Sequence, residues 1–408
     1  MATIAGARSN RAVSALVFLL GTAVFLNYVD RGAIGIAAPL MKSELGLSEE
    51  AYGLAFSAFF WIYAPVQFFA GWLCDRFSVY KLMAVGILLW AGSTLLMGFA
   101  GGFASLLVLR VMLGVGESIS FPGSSKIIAR HVPPESRGMA NGALAIGIAL
   151  GPAAGTLAGG LILGQWGWRA IFLVFGVLTL IWLLPWRGTV QALPTTGHHD
   201  GGARVPLGAL LSKWPLWSMA IVHSLGKYCF YFLLAWLPLF LTRARGFSIS
   251  EMTLLATLGY AVQGACALSY GRFSDWWTRS GRSEAACRRG MMIASQALAA
   301  VAILALAFAK SALIIGVLLC LAGAASAVLS INLYAIAQMF AGPRASGTWV
   351  GVQNSIGNLS GIVGPIVTGI VVQRAGYDSA FVLTAAVAAI GAAWWAWGVP
   401  RIEQVELD

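Results

Sequence analysis

The chain has 408 residues, of which 59% are hydrophobic and only 10% are charged, and its formal net charge is +11. Soluble domains carry roughly 25% charged residues, so this composition excludes a soluble protein and indicates an integral membrane protein. The basic residues stand mostly between apolar stretches, which is typical of cytoplasmic loops and not of a nucleic-acid-binding surface. The five cysteines show no paired or metal-ligand spacing, and we expect neither a metal ion nor a cofactor.

Twelve stretches are long and apolar enough to cross a bilayer, for which a helix needs about 20 residues. The first six lie at about 13–40, 51–74, 80–100, 104–129, 138–164 and 169–186. The second six lie at about 214–241, 250–276, 288–309, 311–340, 345–373 and 377–399. A polar cytoplasmic linker, 188–212, separates the two sets. We therefore predict an all-α membrane protein with a six-helix bundle at 1–187 and a second at 213–408.

The distribution of basic residues predicts the orientation. Most lysines and arginines outside the spans fall on the cytoplasmic side if both termini are cytoplasmic. Arg243 and Arg245 lie on the outer side and depart from this trend. We predict a multi-pass protein of the inner membrane with both termini in the cytoplasm. The tryptophans, such as Trp166 and Trp168 near an outer loop, are expected to anchor the helices at the interface.

The two halves repeat three short elements, at offsets of 200, 213 and 209 residues. They are Gly71-x-x-x-Asp75 and Gly271-x-x-x-Asp275, Gly151-Pro152 and Gly364-Pro365, and Gly167-Trp168-Arg169 and Gly376-Tyr377-Asp378. Three coincidences at nearly one offset indicate a duplicated six-helix unit. Duplicated halves are a common way to build a transporter whose substrate binds near the midplane.

Four charged residues lie inside apolar spans: Asp30 and Arg31 in the first, Arg110 and Glu117 in the fourth. A charge at the centre of a membrane helix costs at least ~2.5 kcal/mol, so such residues usually mark function. Arg110 and Glu117 are two turns apart and share a face. Glu117 is therefore either a proton-coupling group or one half of a static ion pair that fixes helix packing.

Asp30 and Arg31 are adjacent and point about 100° apart on a helix. Arg31 is a candidate for binding an anionic substrate, because a guanidinium group matches a carboxylate bidentately. Arg110 is a second candidate for the same anion, and Asp30 is a second proton-coupling candidate. The alternative is that the four charges compensate one another in a structural cluster.

Polar residues elsewhere in the spans could complete a substrate site. Lys227 of the seventh span either contacts the anion or reaches the cytoplasmic interface. We favour Tyr63, Tyr231, Asn354 and Asn358 as further substrate contacts, although hydrogen bonding between helices is an equally simple role. Three charged residues at cytoplasmic helix ends are predicted to latch one conformation, namely Asp75, Arg76 and Asp275.

The Gly71-x-x-x-Asp75-Arg76 loop, the Gly167-Trp168-Arg169 element and the two six-helix halves resemble the major facilitator superfamily. Within it, the chain is similar to the anion:cation symporter family, which includes sugar-acid transporters, sialin and the vesicular glutamate transporters. The matching segments are Asn27-Tyr28-Val29-Asp30-Arg31, Arg110 through Glu117 with Phe121-Pro122, Trp236-Leu237-Pro238 and Asn354-x-x-x-Asn358-Leu359-Ser360-Gly361. One departure concerns the substrate: Ile148 stands where sugar-acid members tend to have a glutamine.

This resemblance implies secondary active transport, in which a small organic anion such as a sugar acid or monocarboxylate moves together with protons by alternating access. The alternative is a spinster-type exporter of lysolipids or drugs, because those transporters share the Asn27–Arg31 pattern. The sequence contains no Walker-type glycine loop and no nucleophile–base or metal-ligand set, so we expect no enzyme activity. We expect the chain to act as a monomer.

Overall fold

The computed structural model describes residues 2–132, 137–193 and 207–406, and in these ranges the chain is helical without any strand. The α-helices are α1 Ala2–Leu45, α2 Glu49–Arg76, α3 Val79–Met97, α4 Phe103–Ser118, α5 Ser120–His131, α6 Arg137–Ile181, α7 Leu183–Gln191, α8 Leu207–Leu211, α9 Trp214–Leu239, α10 Ile249–Arg279, α11 Glu284–Phe308, α12 Ala312–Asn358 and α13 Ser360–Ala393. Short π-helices, Phe240–Ala244 and Trp394–Gly398, extend α9 and α13.

Three of the long helices are broken by a glycine in the left-handed region, and each break separates two spans. These glycines are Gly167 in α6, Gly342 in α12 and Gly376 in α13, with φ of 78°, 63° and 82°. A residue with a Cβ rarely adopts such a φ, so glycine lets two spans follow one another almost without a loop. The described helices form twelve spans when the short α7 and α8 are not counted separately, α4 and α5 are joined, and the part of α12 after Gly342 is joined to the part of α13 before Gly376. The predicted all-helical membrane fold is confirmed.

The chain separates into two compact units. The first comprises Met1–Leu47 and Ala58–Asp200, and the second comprises Ser48–Ser57 and Gly201–Asp408. The linker residues 194–206 lie outside the described part, so the predicted boundary at 188–212 stays a prediction. The sequence did not suggest that the start of α2 belongs to the second unit, which includes Ser48 and the first nine residues of α2.

Close contacts hold this start of α2 within the second unit. Tyr52 donates a hydrogen bond from its hydroxyl to the carbonyl of Ala235 at 2.8 Å. A Cβ on Gly53 would lie 2.3 Å from the carbonyl oxygen of Pro365, so the backbones of α2 and α13 are in direct contact there. Tyr377 donates to Glu49 Oε1 at 3.1 Å.

The duplication predicted from sequence extends to the turns that follow spans one and seven. Gly46 and Gly246 both have positive φ, 62° and 73°. Two residues later, Ser48 and Ser248 accept hydrogen bonds from the backbone N–H groups three positions on, at 3.1 and 3.2 Å. A left-handed glycine that ends one helix and a serine that caps the next therefore recur at an offset of 200 residues.

Each unit has an ion pair between helix ends, and the acidic and basic partners are exchanged between the two units. Glu44 pairs with Arg169 at 2.8 Å in the first unit, and Arg245 pairs with Asp378 at 2.8 Å in the second. Arg245 also donates to the carbonyls of Ala307 and Ala309 at the end of α11. These contacts give Arg245, which departs from the predicted trend of the basic residues, a structural role at the end of α11.

Candidate functional site

A row of glycines on α6 positions the helix that carries Asp30 and Arg31. A Cβ on Gly147, Gly151 or Gly155 would lie between 2.6 and 2.9 Å from α1 atoms. These glycines are four residues apart and therefore share one face of α6. Because no side chain separates the two backbones, α1 packs directly against α6, as small residues allow in membrane helices.

Two glycines of α4 let α2 and α3 pack directly against its backbone. A Cβ on Gly114 would lie 2.3 Å from the carbonyl oxygen of Phe59 on α2. A Cβ on Gly116 would lie 2.6 Å from the backbone nitrogen of Trp90 on α3. Glu117 follows directly, so its backbone position is set by these two helix crossings.

Arg31 and Glu117 form a buried ion pair. Arg31 Nε lies 3.1 Å from Glu117 Oε2, and the side chains are 5% and 0% exposed. The guanidinium carbon also lies 4.6 Å from the centre of the Tyr63 ring and 5.0 Å from that of Tyr28, within the range of cation–π attraction. The first and fourth spans thus meet at a desolvated charge pair with aromatic walls.

Arg110 lies buried on the same helix as Glu117. Its guanidinium carbon is 5.1 Å from the centre of the Phe59 ring, which Arg31 also approaches, at 5.3 Å. The structure therefore groups Arg31, Arg110, Glu117 and Tyr63 within the first unit. The spacing of Arg110 and Glu117 could not show that the Glu117 carboxylate reaches an arginine 86 residues away.

Asp30 faces a different set of neighbours, as its place beside Arg31 requires. Its Oδ2 accepts a hydrogen bond from the indole N–H of Trp90 at 2.6 Å. The hydroxyls of Thr94 and Thr179 approach the same oxygen at 3.5 Å. Among the described residues, no group hydrogen-bonds to Oδ1, which is buried. Asp30 therefore connects α1 with α3 and α6 inside the first unit.

The predicted polar residues of the second unit form two hydrogen-bonded groups. Tyr231 donates to Asn358 Oδ1 at 2.7 Å, and Lys227 Nζ lies 3.5 Å from the Tyr231 hydroxyl. The ammonium group is also 5.4 Å from the centre of the Tyr231 ring. Asn354 accepts a hydrogen bond from Tyr334 at 3.1 Å.

Two residues of these surroundings, Trp90 and Tyr334, were not predicted from the sequence, and His223, which its place near the start of the seventh span suggested to be interfacial, is buried. The His223 ring is fully buried and lies against Gly357, where a Cβ would come within 2.6 Å of it. Its edge-on contact with Tyr334 has a centroid distance of 6.0 Å. Aromatic residues in apolar runs carry no pattern that separates polar contacts of this kind from ordinary packing.

The two tryptophans expected to anchor the interface differ in burial, and their anchoring role stays a prediction. Trp166 is 68% exposed, whereas Trp168 is buried and its indole N–H donates a hydrogen bond to Glu44 at 2.6 Å.

Of the three predicted latch residues, the side chains of Asp75 and Asp275 lie outside the described part of the structure, and Arg76 is exposed at the end of α2. In the described ranges, no group of three or more His, Cys, Asp or Glu side chains is placed to hold a metal ion.

Comparison with known proteins identifies the family. The family model described as Major Facilitator Superfamily matches residues 20–283 and 246–406. The chain is 31% identical to a probable sulfoacetate transporter of Cupriavidus necator, over 90% of this chain and 89% of the relative. It is 29% identical to a probable galactarate/D-glucarate transporter of Bacillus subtilis, over 91% and 88% of the two chains.

Among solved structures, the chain resembles a bacterial homologue of the human lysosomal transporter Spinster in an inward-facing, unoccupied conformation. The TM-score is 0.80 at 21% identity, and the match covers 96% of this chain and 98% of that one. At this identity the likeness concerns the fold. Together with the family match, these findings show that the chain is a multi-pass membrane transporter, not an enzyme, and that it belongs to the Major Facilitator Superfamily.

Proposed function

We propose that the chain is a proton-coupled symporter of a small organic anion that works by alternating access. The observation that carries this proposal is the buried ion pair between Arg31 and Glu117. The relatives named above are described as transporters of sulfoacetate and of galactarate or D-glucarate, which are organic anions. An arginine is the residue best suited to such a substrate, because its planar guanidinium matches carboxylates and other oxyanions.

The ion pair gives a physical route to coupling. While Glu117 is ionised, its carboxylate forms an ion pair with Arg31 through the Nε atom of the guanidinium group. A proton on Glu117 removes that negative charge and leaves the guanidinium available to a substrate anion. The proton therefore raises the affinity for the anion, and by linkage the anion raises the affinity for the proton by the same factor. After both are released, the pair forms again and the buried charges are balanced.

Other residues support this reaction in our proposal. Arg110 adds positive charge for the anion next to the Phe59 ring, and Tyr63 shields Arg31 from water. In the second unit, Lys227, Tyr231, Asn354 and Asn358 contact polar groups of the substrate. Asp30 is a second proton-binding carboxyl group. The predicted latch, Asp75, Arg76 and Asp275, governs the exchange between conformations.

The substrate class follows from the charges and from one apolar residue. A carboxylate or a sulfonate satisfies Arg31, and both chemistries occur among the named substrates of the relatives. Ile148 of α6 offers no hydrogen bond to a hydroxyl group, so we favour acids with fewer hydroxyl groups than sugar acids. We place the transporter in the inner membrane as a monomer with both termini in the cytoplasm.

The test is uptake by purified protein in liposomes with an inward proton gradient. The panel contains sulfoacetate, D-glucarate, a hexuronate, benzoate and a lysophospholipid. We expect uptake of at least one of the acids, stimulated by the gradient and abolished by a protonophore. Transport of the lysophospholipid alone, or acid uptake indifferent to the gradient, would contradict the proposal.

Variants of two arginines locate the anion. Arg31→Gln should weaken the affinity of the accepted acid at least tenfold, and the double variant Arg31→Gln, Glu117→Gln should do the same without leaving a buried carboxylate unpaired. Arg169→Gln is the matched control, because Arg169 is paired with Glu44 away from this group. Unchanged affinity in both Arg31 variants would remove Arg31 from the substrate site.

A further inference from the structure

Trp90 is the main hydrogen-bond donor to Asp30. Its indole N–H lies 2.6 Å from Oδ2, whereas the hydroxyls of Thr94 and Thr179 lie 3.5 Å away, at the limit of a useful hydrogen bond. Trp90 is fully buried, so water does not compete for this donor. The bond links α3 to the carboxyl group of α1.

The backbone of the same tryptophan contacts α4 beside the second carboxyl group. A Cβ on Gly116 would lie 2.6 Å from Trp90 N and 2.8 Å from Trp90 Cβ. It would also lie 2.7 Å from the carbonyl oxygen of Gly86, one turn earlier on α3. Gly116 immediately precedes Glu117, so the main chain that presents Glu117 rests on Trp90.

We propose that Trp90 is a positioning residue that ties the two proton-binding carboxyl groups of the first unit together, by its indole N–H at Asp30 and by its backbone at Gly116 next to Glu117. This inference rests on the proposed proton coupling. It assigns to a tryptophan in an apolar span a role in setting the pH at which the transporter works.

The surroundings of Asp30 indicate the direction of the effect. The groups on α3 and α6 that face it, Trp90, Thr94 and Thr179, are uncharged. Among the residues that the structure describes, the charged neighbours of Asp30 include Arg31, adjacent on α1, and Glu117 on α4. A donated N–H stabilises a carboxylate more than a carboxylic acid. Loss of the Trp90 donor therefore favours the protonated form, and release of the proton then requires a higher pH.

The experiment is the pH profile of uptake at a fixed proton gradient, with the substrate that the panel identifies. Trp90→Phe keeps an aromatic ring but removes the N–H donor. We expect the pH of half-maximal uptake to rise by about one unit, because one charge-assisted hydrogen bond is lost. Trp182→Phe is the matched control, since the Trp182 indole N–H donates to the carbonyl of Leu19 at 2.8 Å and not to a carboxylate. Its midpoint should stay at the wild-type value.

Two further variants separate the hydrogen bond from packing. Trp90→Gln restores an N–H donor without the ring and should return the midpoint to within about 0.3 units of wild type. In an Asp30→Asn background, Trp90→Phe should shift the midpoint no further. If Trp90→Phe does not fold, Trp90→Gln still tests the claim, because a midpoint displaced by one unit would contradict it.

The outcomes distinguish this inference from the proposed function. Gradient-driven uptake in the wild type together with an unchanged midpoint in Trp90→Phe would overturn the role of Trp90 and leave proton coupling intact. A shift that persists in the Asp30→Asn background would also overturn it, because Trp90 would then act by another route. Uptake by the wild type that ignores the proton gradient would refute the proposed function, and this inference with it.

Discussion

Substitution of Gly114 by alanine should destabilise the first unit, because the position has no room for a methyl group. The added Cβ would lie 2.3 Å from the carbonyl oxygen of Phe59, whereas ordinary contact begins at 3.4 Å. Backbone atoms cannot rotate away, so α2 and α4 must separate by about 1 Å. Overpacking of this kind typically costs ~1–3 kcal/mol of unfolding free energy.

Gly92→Ala is the matched control on α3, where no atom lies within 4 Å of the added Cβ. At this position the substitution only reduces the backbone freedom of the unfolded chain. It should therefore stabilise the helix by roughly 0.5–1 kcal/mol. The same chemical change should therefore have opposite signs at the two positions. Gly323→Ala should act like Gly114→Ala, because its Cβ would lie 2.2 Å from the carbonyl oxygen of Gly259 in the second unit.

Thermal unfolding in detergent measures the difference in stability. Gly114→Ala should also weaken anion binding, because Phe59 and Tyr63 flank Arg31 and move with α2. A Gly114→Ala variant as stable as Gly92→Ala would refute the claim that the backbones of α2 and α4 are in contact. A destabilised variant with unchanged affinity would show that the aromatic walls of Arg31 do not contribute to binding.

Three further substitutions test interactions outside the candidate site. Arg245→Gln should cost about 1–3 kcal/mol of unfolding free energy, because two carbonyls at the end of α11 lose their donor. Asp378→Asn should cost less than about 1 kcal/mol, because the Asp378 side chain is 56% exposed. Equal losses in thermal unfolding would contradict this ranking. At the end of α5, burial, and to a lesser degree the charge of Arg130, lower the pKa of His131 from its ordinary value of 6.5. Protonation then favours the unfolded chain, so this contribution to stability is present above about pH 6.5 and is lost as the pH falls below it. The drop in melting temperature between pH 7.5 and pH 5.5 should therefore be smaller in His131→Gln than in wild type, and an equal drop would contradict the assignment.

The sequence was sufficient for the fold because membrane spans and left-handed glycines leave local signals. The element Gly167-Trp168-Arg169 marked the start of the sixth span, and the structure places a positive φ at Gly167. The turns at Gly46 and Gly246 also repeat at an offset of 200 residues, but they were not among the predicted repeats. By contrast, nothing in the sequence predicted that residues 48–57 would pack with the second unit, since that depends on contacts between distant helices.

The candidate site was predictable in its charged residues and less so in its partners. The charges inside apolar spans identified Asp30, Arg31, Arg110 and Glu117. Burying an ion in a membrane is so costly that a charged residue there is seldom retained unless it has a function. Helical spacing put Arg110 and Glu117 on one face, but it could not show that Arg31 of another helix pairs with Glu117. Trp90 was not predicted because a tryptophan in an apolar span can pack in the core, anchor the helix at the interface or donate a hydrogen bond. Only the structure distinguishes these roles.

The most direct test of the central claim is a comparison of two fluxes in the variant Glu117→Gln, whose amide mimics a permanently neutral carboxyl group. Exchange of labelled for unlabelled anion needs binding and alternating access but no net movement of protons. The account predicts that this exchange persists in liposomes while accumulation driven by a proton gradient is lost. Gradient-driven accumulation at the wild-type level in Glu117→Gln would contradict the claim that protonation of Glu117 releases Arg31 for the anion.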